Sequence, residues 1–172
     1  MTVTLRPLRP GDEEVAVRWA ADPVFCRAAD WTPGLAPRVV RRHWAAIIAG
    51  GDPAFLRLGV ELDGRLVGFV DLAGLDGTTA EFGIVIGERG LWGQGAARRA
   101  GEALIAHAAG LGLARLTALV HAPNVRSHAL MRRLGFVEAG HADPEAYMGG
   151  VVPVIRYERA IGGPSATDPT VR

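Results

Sequence analysis

Residues 81–98, Glu81-Phe-Gly-Ile-Val-Ile-Gly-Glu-Arg-Gly-Leu-Trp-Gly-Gln-Gly-Ala-Ala-Arg98, run from an apolar stretch through a glycine-rich turn into an alanine-rich segment. A strand, a glycine loop and a helix start in that order suit the binding of phosphate. The first N–H groups of a helix have no intrahelical acceptor and lie at the positive end of the helix dipole. Gly93 and Gly95 lack Cβ, so the backbone can turn sharply and approach a ligand closely. Two nucleotide-binding devices fit poorly. A P-loop requires Lys after its last glycine, and all 19 basic residues of this chain are Arg. A dinucleotide site requires G-x-G-x-x-G and an acid about 20 residues further on. Here Arg98 takes the slot of the third glycine, and the next apolar segment ends at His121 without an acid.

Other reactive side chains offer less. His43, His107, His121, His128 and His141 form no i, i+4 pair and have no accompanying cysteine cluster, so no metal site is expected. His121, at a strand end, is an alternative base, with a polar strand-end residue as the simpler reading. The single Cys26 lies among apolar neighbours and reads as a packing residue; one cysteine also excludes an intrachain disulfide and points to a reducing compartment.

The elements that must position these residues follow from periodicity and turn chemistry. Strands are expected at 2–8, 56–62, 65–72, 79–86, 115–120, 136–140 and 151–158, and helices at 12–21, 37–49, 96–109 and 127–134. Asp63-Gly64 is a two-residue hairpin signal. Residues 23–37, with three prolines and a glycine, read as a loop. The hairpin-rich first half and the helical crossover after residue 86 predict an α/β (α+β) domain with a mixed sheet of six to seven strands and about four helices. In it the fourth and fifth strands are parallel neighbours. One domain over 1–161 and a disordered tail over 162–172 are expected. The net charge of +1 gives no reason to expect nucleic acid or an anionic membrane as partner. With neither a membrane-length apolar run nor a signal-peptide pattern, a cytoplasmic protein is expected.

Three motifs add a family resemblance. Trp92-Gly-Gln-Gly95-Ala-Ala97 is similar to the acyl-CoA loop [Q/R]-x-x-G-x-[G/A] of the GNAT acetyltransferases, with Trp92 where Gln or Arg is usual. Asn124-x-x-Ser127 followed by Leu134-Gly-Phe136, and the opening Leu5-Arg-Pro-Leu-Arg-Pro-Gly-Asp12, resemble signatures of its RimJ/RimL-type branch. The match spans about residues 3–160. The resemblance implies the GNAT fold, splayed between its fourth and fifth strands, and acetyl-CoA as co-substrate without a metal. The pyrophosphate is expected on the N–H groups of Trp92, Gly93, Gln94, Gly95, Ala96 and Ala97. Arg89 and Arg98 stand nearby. The pantetheine arm is expected to pair with Ile84, Val85 and Ile86, beside a bulge that Gly83 permits, and Asn124 to bond the pantetheine or brace the turn. Glu81 is implied as general base. Met131 occupies the position of the tyrosine that often protonates the leaving thiolate, and Ser127 is the substitute, with helix capping as its alternative role.

In such a fold the acceptor pocket is implied between the first two helices and the last hairpin, where Asp30, Trp31, Trp44 and Tyr147 are candidates. Trp31 and Tyr147, expected on loops, suit an apolar or aromatic acceptor; Asp30 or Glu145 suits a cationic amine. The function implied is acetyl transfer to a primary amine, on a small molecule or a protein N-terminus, by a monomer or homodimer. A non-catalytic acyl-CoA-binding module is the alternative.

Overall fold

A computed structural model describes residues 2–162. Residues 163–172, the greater part of the tail expected to be disordered, lie outside the described residues. The elements are β1 (Val3–Pro7), α1 (Asp12–Ala20), α2 (Pro23–Ala28), α3 (Pro37–Ala49), β2 (Phe55–Leu62), β3 (Arg65–Ala73), β4 (Thr79–Ile86), α4 (Ala96–Gly110), β5 (Arg115–His121), α5 (Val125–Arg133), β6 (Val137–Tyr147) and β7 (Gly150–Ala160). A 3₁₀ turn covers Arg89–Leu91. The seven strands form one mixed sheet in the order β1-β2-β3-β4-β5-β7-β6, antiparallel except for β4 and β5.

Alternation along the strands divides the core in two. Val70, Leu72, Phe82, Leu116 and Ala118 pack with Ala100, Leu104 and Met131 of α4 and α5. Leu66 and Phe69 face Ala16, Trp19, Phe25 and Trp44 of α1–α3 on the other side. No helix among the described residues is long and apolar enough to cross a membrane.

Several local expectations change. Residues 23–28 are a helix: Pro23 sits in its first turn, and the Asp22 carboxylate accepts from the N–H groups of Val24 and Phe25. Asp12 does not cap α1 but is its first helical residue, behind Gly11. Its carboxylate instead accepts from the Arg9 N–H at 2.9 Å and from Arg6 at 2.8 and 3.0 Å. The last hairpin is longer than expected. β6 continues to Tyr147, tolerating Pro144 because an edge strand needs few ladder donors, with register shifts between Glu138 and His141 and between Ala142 and Glu145. The bulge expected in β4 is absent. β4 pairs with β3 without interruption from Glu81↔Ala73 to Ile86↔Gly68, and the irregularity of this half of the sheet is an extra residue in β3: Glu61 pairs with Leu66 and Val60 with Gly68, which leaves Val67 without a partner in β2.

Candidate active site

β4 and β5 pair only over Thr79↔Arg115, Ala80↔Leu116 and Glu81↔Thr117. Beyond Glu81 the strands part, because β5 stays paired with β7 as far as His121↔Val154. The Gly87 N–H donates to the Val67 carbonyl at 2.9 Å. By the alternation of an antiparallel ladder, Gly83 and Val85 then direct their backbone groups to β3, while Phe82, Ile84 and Ile86 direct theirs into the gap. Of the three residues expected to pair with pantetheine, Val85 is therefore committed to β3. The Ile86 carbonyl accepts from the Trp92 indole N–H at 2.8 Å. Ile84 presents its N–H and carbonyl to the gap, where no bulge is needed to free them.

The loop closing the gap is braced from both sides. A Cβ at Gly87 would stand 2.1 Å from the Trp19 ring, so α1 seats its indole where only a hydrogen fits. Glu88 accepts from the Trp19 indole at 3.1 Å and from Arg18 at 2.8 Å. Arg89 pairs with Asp22, and Arg98 lies 3.7 Å from Glu102 one helical turn on. Arg126 sits 5.0 Å above the Trp92 ring. Gly93 and Gly95 adopt φ of 76° and 83°, values that disfavour a side chain, and space around them is open. The N–H groups of Trp92 and Gln94 are used inside the turn, by the carbonyls of Arg89 and Leu91, so those two are withdrawn from the expected phosphate cradle. α4 has no side-chain cap, and its first intrahelical donor is the Arg99 N–H to Gly95. The N–H groups of Ala96, Ala97 and Arg98 therefore remain for an anion.

Glu81 ends the part of β4 that pairs with β5, with its side chain reaching solvent. Desolvation raises its carboxyl above the ordinary value, the Glu145 charge adds to this, and Arg156 opposes it. Glu145 lies 3.1 Å from His121 Nε2, and the His121 ring stacks on Tyr147 at 4.3 Å and 13°. Tyr147 is buried at the end of β6, not on a loop. Burial raises its hydroxyl pKa, with Asp30 adding to the shift and Arg126 opposing it. The fold thus gathers Asp30, Glu81, His121, Arg126, Glu145 and Tyr147, from four elements and one loop, around the mouth of the gap.

On the β5 side, Asn124 caps α5 by accepting from the Ser127 N–H at 3.1 Å. Ser127 is thus not the cap, and its hydroxyl is not consumed by capping. Met131 is buried in the core. His128 links α5 to the last hairpin: Nδ1 lies 2.7 Å from the Tyr157 hydroxyl, Nε2 3.1 Å from the Ala122 carbonyl, and Tyr157 donates to Glu138 at 3.1 Å.

Trp31 is half-buried, with ring centroids 5.0 Å from Phe25 and 6.2 Å from both Trp44 and Phe69. Trp44 is only 1% exposed, so it forms the floor of this cluster instead of a free face. The sequence reading missed Arg57 of β2, which donates twice to Asp71 of β3 at 2.7 Å. Its guanidinium lies 4.0 Å from the Phe69 centroid and 5.3 Å from that of Trp44. Two charged residues at inward-facing positions of neighbouring strands were the available signal. No group of three or more metal-ligating side chains occurs among the described residues.

The family model described as an acetyltransferase (GNAT) domain matches residues 2–137. Among solved structures, a spermidine N-acetyltransferase from Vibrio cholerae in complex with CoA and spermine has a TM-score of 0.79 and 25% identity, over 92% of this chain and 95% of that one. A chimera of the Vibrio cholerae spermidine N-acetyltransferase aligns at TM-score 0.80 and 25% identity, over 94% of this chain and 96% of that one. An acetyltransferase from Salmonella typhimurium that modifies the N-terminal serine of a 50S ribosomal subunit protein shares the fold at TM-score 0.79 and 20% identity, over 94% and 96%. No curated protein sequence matches the chain.

Proposed function

Because the chain belongs to the GNAT acetyltransferases and is an N-acetyltransferase, we propose that it transfers acetyl from acetyl-CoA directly to a primary amine within a ternary complex. The observation that carries this reading is the parting of β4 and β5 after Glu81, with uncapped helix N–H groups at the end of the gap. The gap fits an extended arm ending in phosphates. Ile84 can pair with the arm's amides, and Ala96, Ala97 and Arg98 can donate to the pyrophosphate, with main-chain groups and open glycines doing more than charge. Acetyl-CoA supplies the electrophilic thioester.

The chain's own groups supply orientation and proton transfer. The Ile84 N–H, fixed in β4, is a donor for the thioester oxygen as negative charge develops there. Glu81, directly or through a water, takes the proton that the acceptor amine must lose as its nitrogen bonds the acetyl carbon. The Ser127 hydroxyl, freed from capping by Asn124, gives a proton to the departing sulfur as the carbon–sulfur bond breaks. Asn124 acts as the brace of the turn that carries Ser127. Acceptors bind at the mouth formed by Asp30, Glu145 and Tyr147. A small amine or a protein N-terminus fits the chemistry, as the amine acceptors named for the similar enzymes support. The lone, buried Cys26 supports a cytoplasmic setting.

Release of free thiol from acetyl-CoA in the presence of a panel of primary amines tests the reaction. The expected result is amine-dependent CoA release. Tight binding of acetyl-CoA with no thiol above background for any amine would sink the proposed transfer.

A further inference from the structure

Beside the mouth, a concavity of about 530 Å³ opens between α3, the loop before it and the face of β2. Its walls include Trp31, Leu35 and Trp44, and its charged groups are Arg42, His43 and Arg57; no acid lines it. Two of the three Arg57 nitrogens, Nε and Nη2, are committed to Asp71. The third, Nη1, makes no hydrogen bond among the described residues. No fully buried side-chain nitrogen or oxygen lacks a partner, so Nη1 retains access to solvent on the cavity side. It offers two N–H donors from a guanidinium held flat against aromatic rings.

Trp31, which follows Asp30 of the mouth in the chain, lines this cavity. Asp71 pairs with Gly83 of β4, and a Cβ at Gly83 would stand 3.7 Å from Asp71 Oδ2. Arg57 Nη2 lies 2.7 Å beyond that oxygen. The two steps in series put the guanidinium no more than about 6.5 Å from the position a Cβ would take at Gly83. The Asp71 side chain, 3.2 Å from a Cβ built at Gly83, fills the space between them and carries the guanidinium at this distance from β4.

Resting on the transferase reading above, we infer that the acceptor is an amine whose far end carries a carboxylate beside an apolar or aromatic body. The amine sits at the acidic mouth formed by Asp30, Glu81 and Glu145. The body lies against Trp31, and the carboxylate accepts from Arg57 Nη1, with Arg42 adding long-range attraction. A polycationic tail meets Arg42 and Arg57 with no acid to receive it other than the already paired Asp71. A purely apolar tail covers the Nη1 donors without replacing their water.

Three probes decide the matter. They are 4-(aminomethyl)benzoate, benzylamine with the same ring and no carboxylate, and spermidine. The expected order of kcat/KM is 4-(aminomethyl)benzoate first, exceeding benzylamine by about tenfold, as one charge-assisted hydrogen bond in a sheltered site allows, and spermidine last. In Arg57→Gln/Asp71→Asn, changed together so that neither charge is left alone, the ratio of the two ring compounds should fall toward one. In Arg42→Gln, an exposed change that spares the core, it should fall about threefold. Turnover with spermidine preferred, or a ratio indifferent to these variants, overturns the inference and leaves the transferase reading standing. Absence of turnover with every amine counts against that reading instead. Calorimetric binding of 4-(aminomethyl)benzoate to the CoA-loaded protein then still decides the pocket. Binding weakened about tenfold in the paired variant supports it, and equal binding refutes it.

Discussion

Glu81 earns its place at the residue scale by position and environment together. It is the last residue of β4 to pair with β5, and the charge of Glu145 and its own desolvation favour its protonated form. A base with a raised pKa is inactive below that pKa and gains activity as pH rises through it. The acidic limb of kcat/KM should therefore lie above the ordinary glutamate value of 4.5. In Glu81→Gln that limb should vanish and the rate should drop by about 10²–10⁴; an unchanged profile would remove Glu81 as the base. Stability moves the other way. A raised carboxyl favours the folded state below the unfolded pKa, and that contribution fades as pH rises through the folded value. Wild type should thus lose stability relative to Glu81→Gln across this interval. Gly95 makes a second point. Its φ of 83° and the open space beside it suit an anion against the backbone. Gly95→Glu should abolish acetyl-CoA binding through bulk and like charge, and undiminished calorimetric binding would show that the phosphate lies elsewhere.

Between elements, fit is decided by contacts that no single segment reveals. Gly87 reads in sequence as one more loop glycine, yet its missing Cβ is the seat of Trp19 from α1. Gly87→Ala should destabilise the protein by about 1–3 kcal/mol, the usual cost of overpacking. It should also weaken acetyl-CoA binding, because Glu88 and Arg89 are anchored to α1 and α2 beside it. Urea unfolding and calorimetry measure the two effects, and a variant as stable as wild type would contradict the packing. Register shows the same dependence. The Asp63-Gly64 turn starts the β2–β3 ladder at Leu62↔Arg65, and without interruption it would bring Arg57 opposite Val70. The bulge at Val67 of β3, opposite Val60 and Glu61, shifts the pairing by one residue and gives Arg57 to Asp71. Strand existence was legible from the residue pattern; the bulge went unread, and Gly68 beside the unpaired Val67 was its available signal.

Across the whole molecule, charged networks tie the N-terminal strand to its neighbours. Arg6 of β1 bonds both Asp12 of α1 and Glu61 of β2. Burial pushes the Asp12 carboxyl up, but the Arg6 hydrogen bond, the Arg9 N–H and the Arg6 charge together bring it below its ordinary value of 3.8. The stability it contributes is present above the unfolded pKa and is lost as pH falls through the lowered folded value. Asp12→Asn should cost about 1–3 kcal/mol at neutral pH, and the difference from wild type should shrink below about pH 4. Denaturant titrations at several pH values check this; a gap independent of pH would exclude the carboxylate as its source.

The sequence by itself marked the family and, among the described residues, all seven strands and four of the five helices. Alternation, hairpin turns and apolar runs signalled the strands, and β4 runs from Thr79 to Ile86 as expected. The glycine loop, Asn124, Ser127 and Leu134-Gly-Phe136 pointed to an acetyltransferase through their resemblance to the family's motifs, which are short and local in the chain. Tertiary structure alone decided which groups meet. Tyr147 moved from an expected loop to a buried strand end stacked on His121, Val85 turned its backbone to β3, and Arg57 came to line a cavity within reach of Gly83. Those outcomes depend on register, on the parting of β4 from β5 and on the seating of α1–α3 over the sheet. Such quantities are set by packing between segments far apart in the chain, and no short window of sequence encodes them.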